Sequence, residues 1–155
     1  MIFENYLLPD KYFDSFDKIT TDELSSTGVR LVICDVDNTL APYEMAKPDE
    51  RIIKWIKSIQ EANICIVLIS NNKDERLSLF NEDLKLRVYK NANKPSRKAF
   101  FAAMNEFNCD VNNTLVIGDQ LLTDVLAAKR VGCKAYLVPP IKDKKTMLFR
   151  LKRII

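Results

Sequence analysis

Residues 31–40 read Leu-Val-Ile-Cys-Asp-Val-Asp-Asn-Thr-Leu. Leu31 to Cys34 form an unbroken apolar run with two β-branched residues, the pattern of a strand buried on both faces. Asp35 and Asp37 follow at once, so such a strand would carry two carboxylates to the carboxyl edge of a sheet. Acids this close repel each other, and a hard, oxygen-seeking cation such as Mg²⁺ relieves the repulsion. A strand that simply runs into an Asp-Asn turn uses the same residues without any site. The remainder of the chain must decide between the two.

Similar runs recur downstream. Ile64 to Ile69 ends in Ser70-Asn71-Asn72, Leu86 to Tyr89 in Lys90-Asn91, and Thr114 to Ile117 in Gly118-Asp119. Lys134 to Val138 is stopped by Pro139-Pro140. Helical patterns lie between them. Pro48-Asp49 opens one in which Ile52, Ile56 and Ile59 share a face, with Asn63 at its end. Others are expected from about Asp74 to Asp83, from Ser96 to Phe107 with Phe100, Met104 and Phe107 on one stripe, and from Leu121 to Val131 before Gly132. Five buried strands alternating with helices predict an α/β protein, a three-layer Rossmann-like fold around a five-stranded parallel sheet. The 155 residues fit a single domain. Residues 1–30 are an aromatic-rich arm with a short helix capped by Thr20 or Thr21, residues 31–140 the core, and residues 141–155 a basic C-terminal helix. The arm is expected to pack on the core.

Several chemistries are excluded by absence. There is no histidine, which removes Ser-His-Asp catalysis, histidine metal sites and phosphohistidine. The three glycines, Gly28, Gly118 and Gly132, cannot spell a Gly-rich nucleotide cradle. Cys34, Cys65, Cys109 and Cys133 contain no Cys-x-x-Cys pair, and Cys34 and Cys65 sit inside apolar runs, so structural thiols are expected. Cys109 lacks the nearby downstream arginine that a cysteine phosphatase needs. Net charge is +3, too mild to argue for a nucleic-acid partner. No apolar run approaches a membrane span and no secretory signal is evident, so a cytoplasmic protein is expected. Catalysis would rest on carboxylates, hydroxyls, amides, lysines and a metal.

Four polar positions stand at strand ends or helix starts. They are Asp35 with Asp37, Ser70, Lys94 before Pro95, and Asp119 with Asp124. Ligands of open parallel sheets sit beyond the carboxyl ends of the strands, where strand order reverses. If the first and fourth core strands are neighbours, these groups converge. In order and in local structure they resemble the four motifs of the haloacid dehalogenase (HAD) superfamily: Asp35-Val-Asp-Asn-Thr39, Ser70, Lys94, and Gly118-Asp-Gln-Leu-Leu-Thr-Asp124. The resemblance covers residues 31–140 and implies a phosphatase working through an aspartyl-phosphate.

On that resemblance Asp35 is the nucleophile, and Asp37 the acid and then the base. Ser70, the Asn71 amide and Lys94 hold the phosphoryl oxygens. Asp35, the Asp37 carbonyl and Asp119 would bind Mg²⁺, with Thr39 and Asp124 supporting them from behind. Phosphoryl transfer asks chiefly for positioning and charge neutralisation, which such a set supplies. The segments between Asp37 and Pro48, and between Ser70 and Lys94, are too short for the cap modules of the superfamily. The chain therefore resembles its capless subfamily IIIA.

Leu8-Pro-Asp-Lys-Tyr12, Ile19-Thr20 and the short spacing to Asp35 are similar to the phosphatidylglycerophosphate phosphatase-like subgroup. From Lys144 onward, Met147, Leu148, Leu151, Ile154 and Ile155 form one helical arc, with Lys145, Arg150, Lys152 and Arg153 elsewhere. Such a helix can lie on an anionic membrane face or pack on the sheet. Other phosphorylated substrates remain open: a nucleic-acid end, a phosphoprotein or a soluble metabolite. A non-catalytic receiver-like module or scaffold is the reading from another class. The receiver fits poorly, because its third strand should end in the phospho-accepting aspartate and here leads to Lys90-Asn91.

Overall fold

The structure is a computed structural model that describes residues 5–72 and 75–142. Its sheet has six parallel strands: β1 (Lys11–Tyr12), β2 (Leu31–Asp35), β3 (Cys65–Ile69), β4 (Val88–Tyr89), β5 (Thr114–Gly118) and β6 (Lys134–Leu137). They lie side by side in the order β1-β6-β5-β2-β3-β4. The chain moves one way from β2 to β4, then returns to the other side of β2 for β5 and β6. The reversal therefore falls between β2 and β5, which are paired from Leu31↔Thr114 to Cys34↔Ile117. Asp35 and Asp119 stand at the carboxyl ends of these two strands.

The sheet has one strand more than the five that periodicity picks out. The extra one, β1, is two residues long, too short to show a period, and backbone bonds hold it to β6: Asp10 N to Ala135 O at 2.8 Å and Phe13 N to Leu137 O at 3.0 Å. Asp10 adds a carboxylate that accepts from Ala135 N and pairs with Lys129. An edge held by backbone bonds and one carboxylate leaves no trace in hydrophobic pattern.

Helices cover both faces. On one side lie α1 (Thr21–Ser26), α2 (Glu50–Glu61) and α3 (Arg76–Phe80), and on the other α4 (Lys98–Glu106) and α5 (Leu126–Val131). Strands β2 and β5 are buried from end to end. In the arm, Phe16, Ile19 and Leu24 are buried in the same cluster as Ile52, Trp55 and Ile59 of α2. Trp55 Nε1 donates to Ile19 O at 2.8 Å, so the indole is both buried and satisfied. Thr20 caps α1 by accepting from Glu23 N, and Asp49 caps α2 by accepting from Ile52 N. Gly132 takes φ +104, the left-handed step that ends α5.

Four expectations change in detail. Among the described residues of the helix expected over 74–83, Arg76–Phe80 form α3, and the strand expected at Leu86–Tyr89 pairs only at Val88–Tyr89. Leu121–Val125 winds as a wide π-turn before α5 rather than as its first α turn. Cys65, at the first position of β3, is exposed rather than core; all four thiols are free. Of the basic helix expected over 141–155, residues 141–142 form a bend and residues 143–155 lie outside those described. Among the described residues no cap domain interrupts the core, and no helix is long and apolar enough to cross a membrane.

Candidate active site

The turn after β2 is built by residues that pattern alone marks as a loop. Leu40 N donates to Val36 O at 3.0 Å and Asn38 N to Ala41 O at 2.7 Å, which folds 36–41 back on itself. Asn38 sits at φ +64, a conformation asparagine tolerates better than most residues. The turn brings Thr39 beneath the sheet edge. Its Oγ1 lies 2.8 Å from Asp35 Oδ2 and 2.9 Å from Asp119 Oδ1, and its single proton can be donated to only one of them at a time.

Lys94 comes from a loop set by two further left-handed asparagines, Asn91 and Asn93. The loop is tied to the end of β3: Ala92 N donates to Ser70 O, Asn91 N to Asn72 O, and Lys94 N to Asn71 Oδ1 at 2.6 Å. Its ammonium enters the site with 4% of the side chain exposed and lies 2.7 Å from both Asp35 Oδ1 and Asp124 Oδ1. Asp124 Oδ2 also accepts from Gln120 N at 3.2 Å. Ser70 is buried beside them, and its Oγ accepts from Asn72 N at 3.0 Å, which leaves the hydroxyl proton for a ligand.

Charge in this cluster is unbalanced. Oxygens of Asp35, Asp119 and Asp124, all buried, lie within 4.8 Å of one another, and a single ammonium faces them. Burial first, then the charges of Asp35 and Asp124, push the Asp119 carboxyl up to about 9. Burial and Asp35 push Asp124 up to about 6 against the pull of Lys94. Burial alone would lower the Lys94 pKa, but Asp124 and Asp35 outweigh it and keep the ammonium charged. Cys34, one residue before Asp35, is buried and its thiol is pushed well up, first by burial and then by Asp35, so it stays a neutral packing group. Three carboxylates against one ammonium leave a formal excess of two negative charges. An all-oxygen donor set of that charge fits a hard divalent cation.

Asp37 faces the opposite wall. Asn72 Nδ2 donates to its Oδ2, and Arg76 Nη2 lies 3.0 Å from its Oδ1. Its carboxylate is thus separate from the three-acid cluster. That arrangement is compatible with its expected metal contact being made through the backbone carbonyl. Asp35, Asp37, Ser70, Asn71, Asn72, Lys94, Gln120, Thr123 and Asp124 line one open pocket at the strand ends. Asp119 and Thr39 lie beneath it.

Each residue singled out in the sequence therefore reaches the same crevice. Asn72, Arg76, Gln120 and Thr123 were missed. Asn72 carried a signal, since Ser70-Asn71-Asn72 is one polar run at a strand end. Arg76 carried none, being one arginine in a short amphipathic segment. Asn71, expected for its backbone amide, also uses its side chain to brace the Lys94 loop.

Comparison with known proteins agrees with this geometry. Residues 91–149 match the family model described as HAD-hydrolase-like. The chain is 34% identical over 150 residues to the Probable phosphatase YqeG of Bacillus subtilis, covering 97% of this chain and 87% of that protein. It is 23% identical over 145 residues to Phosphatidylglycerophosphate phosphatase 1 of Arabidopsis thaliana, covering 88% of this chain and 42% of the relative. Among solved structures, D,D-heptose 1.7-bisphosphate phosphatase from B. bronchiseptica, complexed with magnesium and phosphate, superposes with a TM-score of 0.60. The identity there is 16%, with 79% of this chain and 87% of that one covered, a likeness of fold. With four motif positions converging at one switch point and a full-length relative at this identity, the chain belongs to the HAD-like phosphatases.

Proposed function

We propose that the protein is a Mg²⁺-dependent phosphomonoester hydrolase that works through an aspartyl-phosphate on Asp35. The observation that carries this is the placing of Lys94 Nζ 2.7 Å from Asp35 Oδ1, at the bottom of a pocket that Ser70 and Asp37 also line. The ammonium fixes Asp35 at the pocket floor. In the first half-reaction an Asp35 oxygen bonds to phosphorus as the bond from phosphorus to the ester oxygen breaks. Asp37 gives its proton to that leaving oxygen. In the second, Asp37 takes a proton from water, water oxygen bonds to phosphorus, and Asp35 is released. Ser70 and Lys94 hold the phosphoryl oxygens throughout. Asp35 and Asp119, with the Asp37 carbonyl, would hold Mg²⁺, which when bound neutralises charge between carboxylate and phosphate. Thr39 orients the two carboxylates, and Asp124 holds Lys94.

For the substrate we propose phosphatidylglycerophosphate. Support comes from the likeness to the Arabidopsis phosphatase named for that lipid and from the absence of a cap, which leaves room for a headgroup presented at a surface. On this reading the protein is cytoplasmic and works at the inner membrane face. The test is phosphate release from phosphatidylglycerophosphate in detergent micelles with Mg²⁺, against soluble sugar and nucleoside phosphates, with Asp35→Asn as the blank. Lipid preference is expected. Turnover of soluble esters alone would keep the chemistry and discard the lipid.

A further inference from the structure

Arg76, the first residue of α3, makes several specific contacts beside the pocket. Its Nε donates to Tyr43 O at 2.6 Å and its Nη2 to Pro42 O at 2.9 Å. The same Nη2 lies 3.0 Å from Asp37 Oδ1. The guanidinium also stacks over the Tyr43 ring, 4.9 Å from its centroid, and over Phe80 at 5.7 Å. Only 10% of the side chain is exposed, so this is a desolvated cation rather than a surface one. One side chain thus joins the loop after β2 to the segment after β3, the two places where the chain could have carried a cap.

We propose that Arg76 is the positioning residue for Asp37: it fixes the carboxyl group at the angle needed to protonate the leaving oxygen, and offsets the negative charge that appears there when the proton is given up. The guanidinium is planar, and three contacts plus two ring faces leave it little freedom. Asn72 grips the other oxygen of the same carboxylate. Asp37 is therefore held at both oxygens, one by a cation and one by an amide. As the phosphorus–oxygen bond breaks, the proton passes from Asp37 to the leaving oxygen and the new carboxylate lies against Arg76. Tyr43 and Pro42 supply the backing, since their carbonyls hold the guanidinium in register with Asp37.

The inference rests on the acid role proposed above for Asp37, and the experiment separates the two. kcat/KM is measured for p-nitrophenyl phosphate, whose leaving group departs without a proton, and for phenyl phosphate, whose leaving group needs one. General acid catalysis contributes about 10²–10⁴-fold. Asp37→Asn should lose roughly that factor on phenyl phosphate and far less on p-nitrophenyl phosphate. Arg76→Gln should lose about tenfold or more on phenyl phosphate relative to p-nitrophenyl phosphate. Arg76→Lys, which keeps the charge but not the fork, should fall between Arg76→Gln and wild type and also covers the case in which Arg76→Gln fails to fold. If Asp37→Asn discriminates between the esters but the Arg76 variants lose equally on both, Arg76 merely braces the loop and the inference is overturned. If Asp37→Asn loses equally on both, the acid assignment fails and takes this inference with it.

Discussion

Replacing Gly118 by alanine tests the packing of the site in a way that separates two opposed effects. Gly118 ends β5, and its conformation is one that alanine also adopts, so backbone considerations alone predict a gain of about 0.4–1 kcal/mol from restricting the unfolded chain. The surroundings predict the opposite. A Cβ at this position would lie 2.3 Å from Asp124 Cβ and Cγ and 2.4 Å from Oδ2. Asp124 must retreat by about 1 Å to restore van der Waals contact. It cannot do so freely, because one oxygen is 2.7 Å from Lys94 Nζ and the other accepts from Gln120 N. A 1 Å retreat takes the ammonium contact beyond hydrogen-bonding distance. Overpacking costs about 1–3 kcal/mol, and weakening a buried ion pair adds part of the roughly 3–5 kcal/mol that complete loss of a partner would cost. The expected net loss is about 2–5 kcal/mol, read from the urea midpoint at unchanged slope. Turnover should fall by about 10²-fold, since Lys94 no longer holds Asp35 in place. Gly118→Ala protein as stable as wild type, or more so, with full activity would refute the reasoning.

The pH dependence of the metal-free protein has a definite sign. Asp119 is raised in the folded state from 3.8 to about 9, so its contribution to stability is full below pH 3.8 and is lost as pH rises toward 9. The melting temperature in EDTA should therefore fall between pH 5 and 9, Asp119→Asn should flatten the fall, and Mg²⁺ should reverse it. Lys94→Met leaves Asp35 and Asp124 facing each other without a cation, and should cost about 3–5 kcal/mol in urea unfolding, part of which Mg²⁺ restores. Thr39→Val removes the hydroxyl shared by Asp35 and Asp119 and should weaken Mg²⁺ binding by about 10–100-fold by calorimetry, with little change in fold.

What the sequence could convey follows from how each feature is encoded. The central strands are buried on both faces, so β2 and β5 appear as continuous apolar runs, and the polar residues that end them stand out. Their convergence needs only β2 and β5 to be neighbours, which the reversal of strand order supplies. Features encoded by backbone bonds or single side chains were not legible. The edge strand Lys11–Tyr12 is held by bonds from Asp10 and Phe13, and Leu121–Val125 widens into a π-turn within an ordinary-looking helical pattern. Cys65 looked like core because it opens an apolar run, yet it stands at the exposed start of its strand. Arg76 reaches Asp37 only because the loop at Pro42–Tyr43 is folded against α3, a tertiary fact with no local signature. The resemblance to a phosphatase family supplied roles; the turn at Asn38 and the left-handed Asn91 and Asn93 are what deliver the side chains.

The most direct test of the central claim is to quench the enzyme with acid during turnover of p-nitrophenyl phosphate and map any phosphorylated peptide by mass spectrometry. One acid-stable, base-labile phosphoryl group is expected on the peptide carrying residues 31–40, located at Asp35 and absent from Asp35→Asn. Phosphate on another residue, or undiminished turnover by Asp35→Asn, would contradict it.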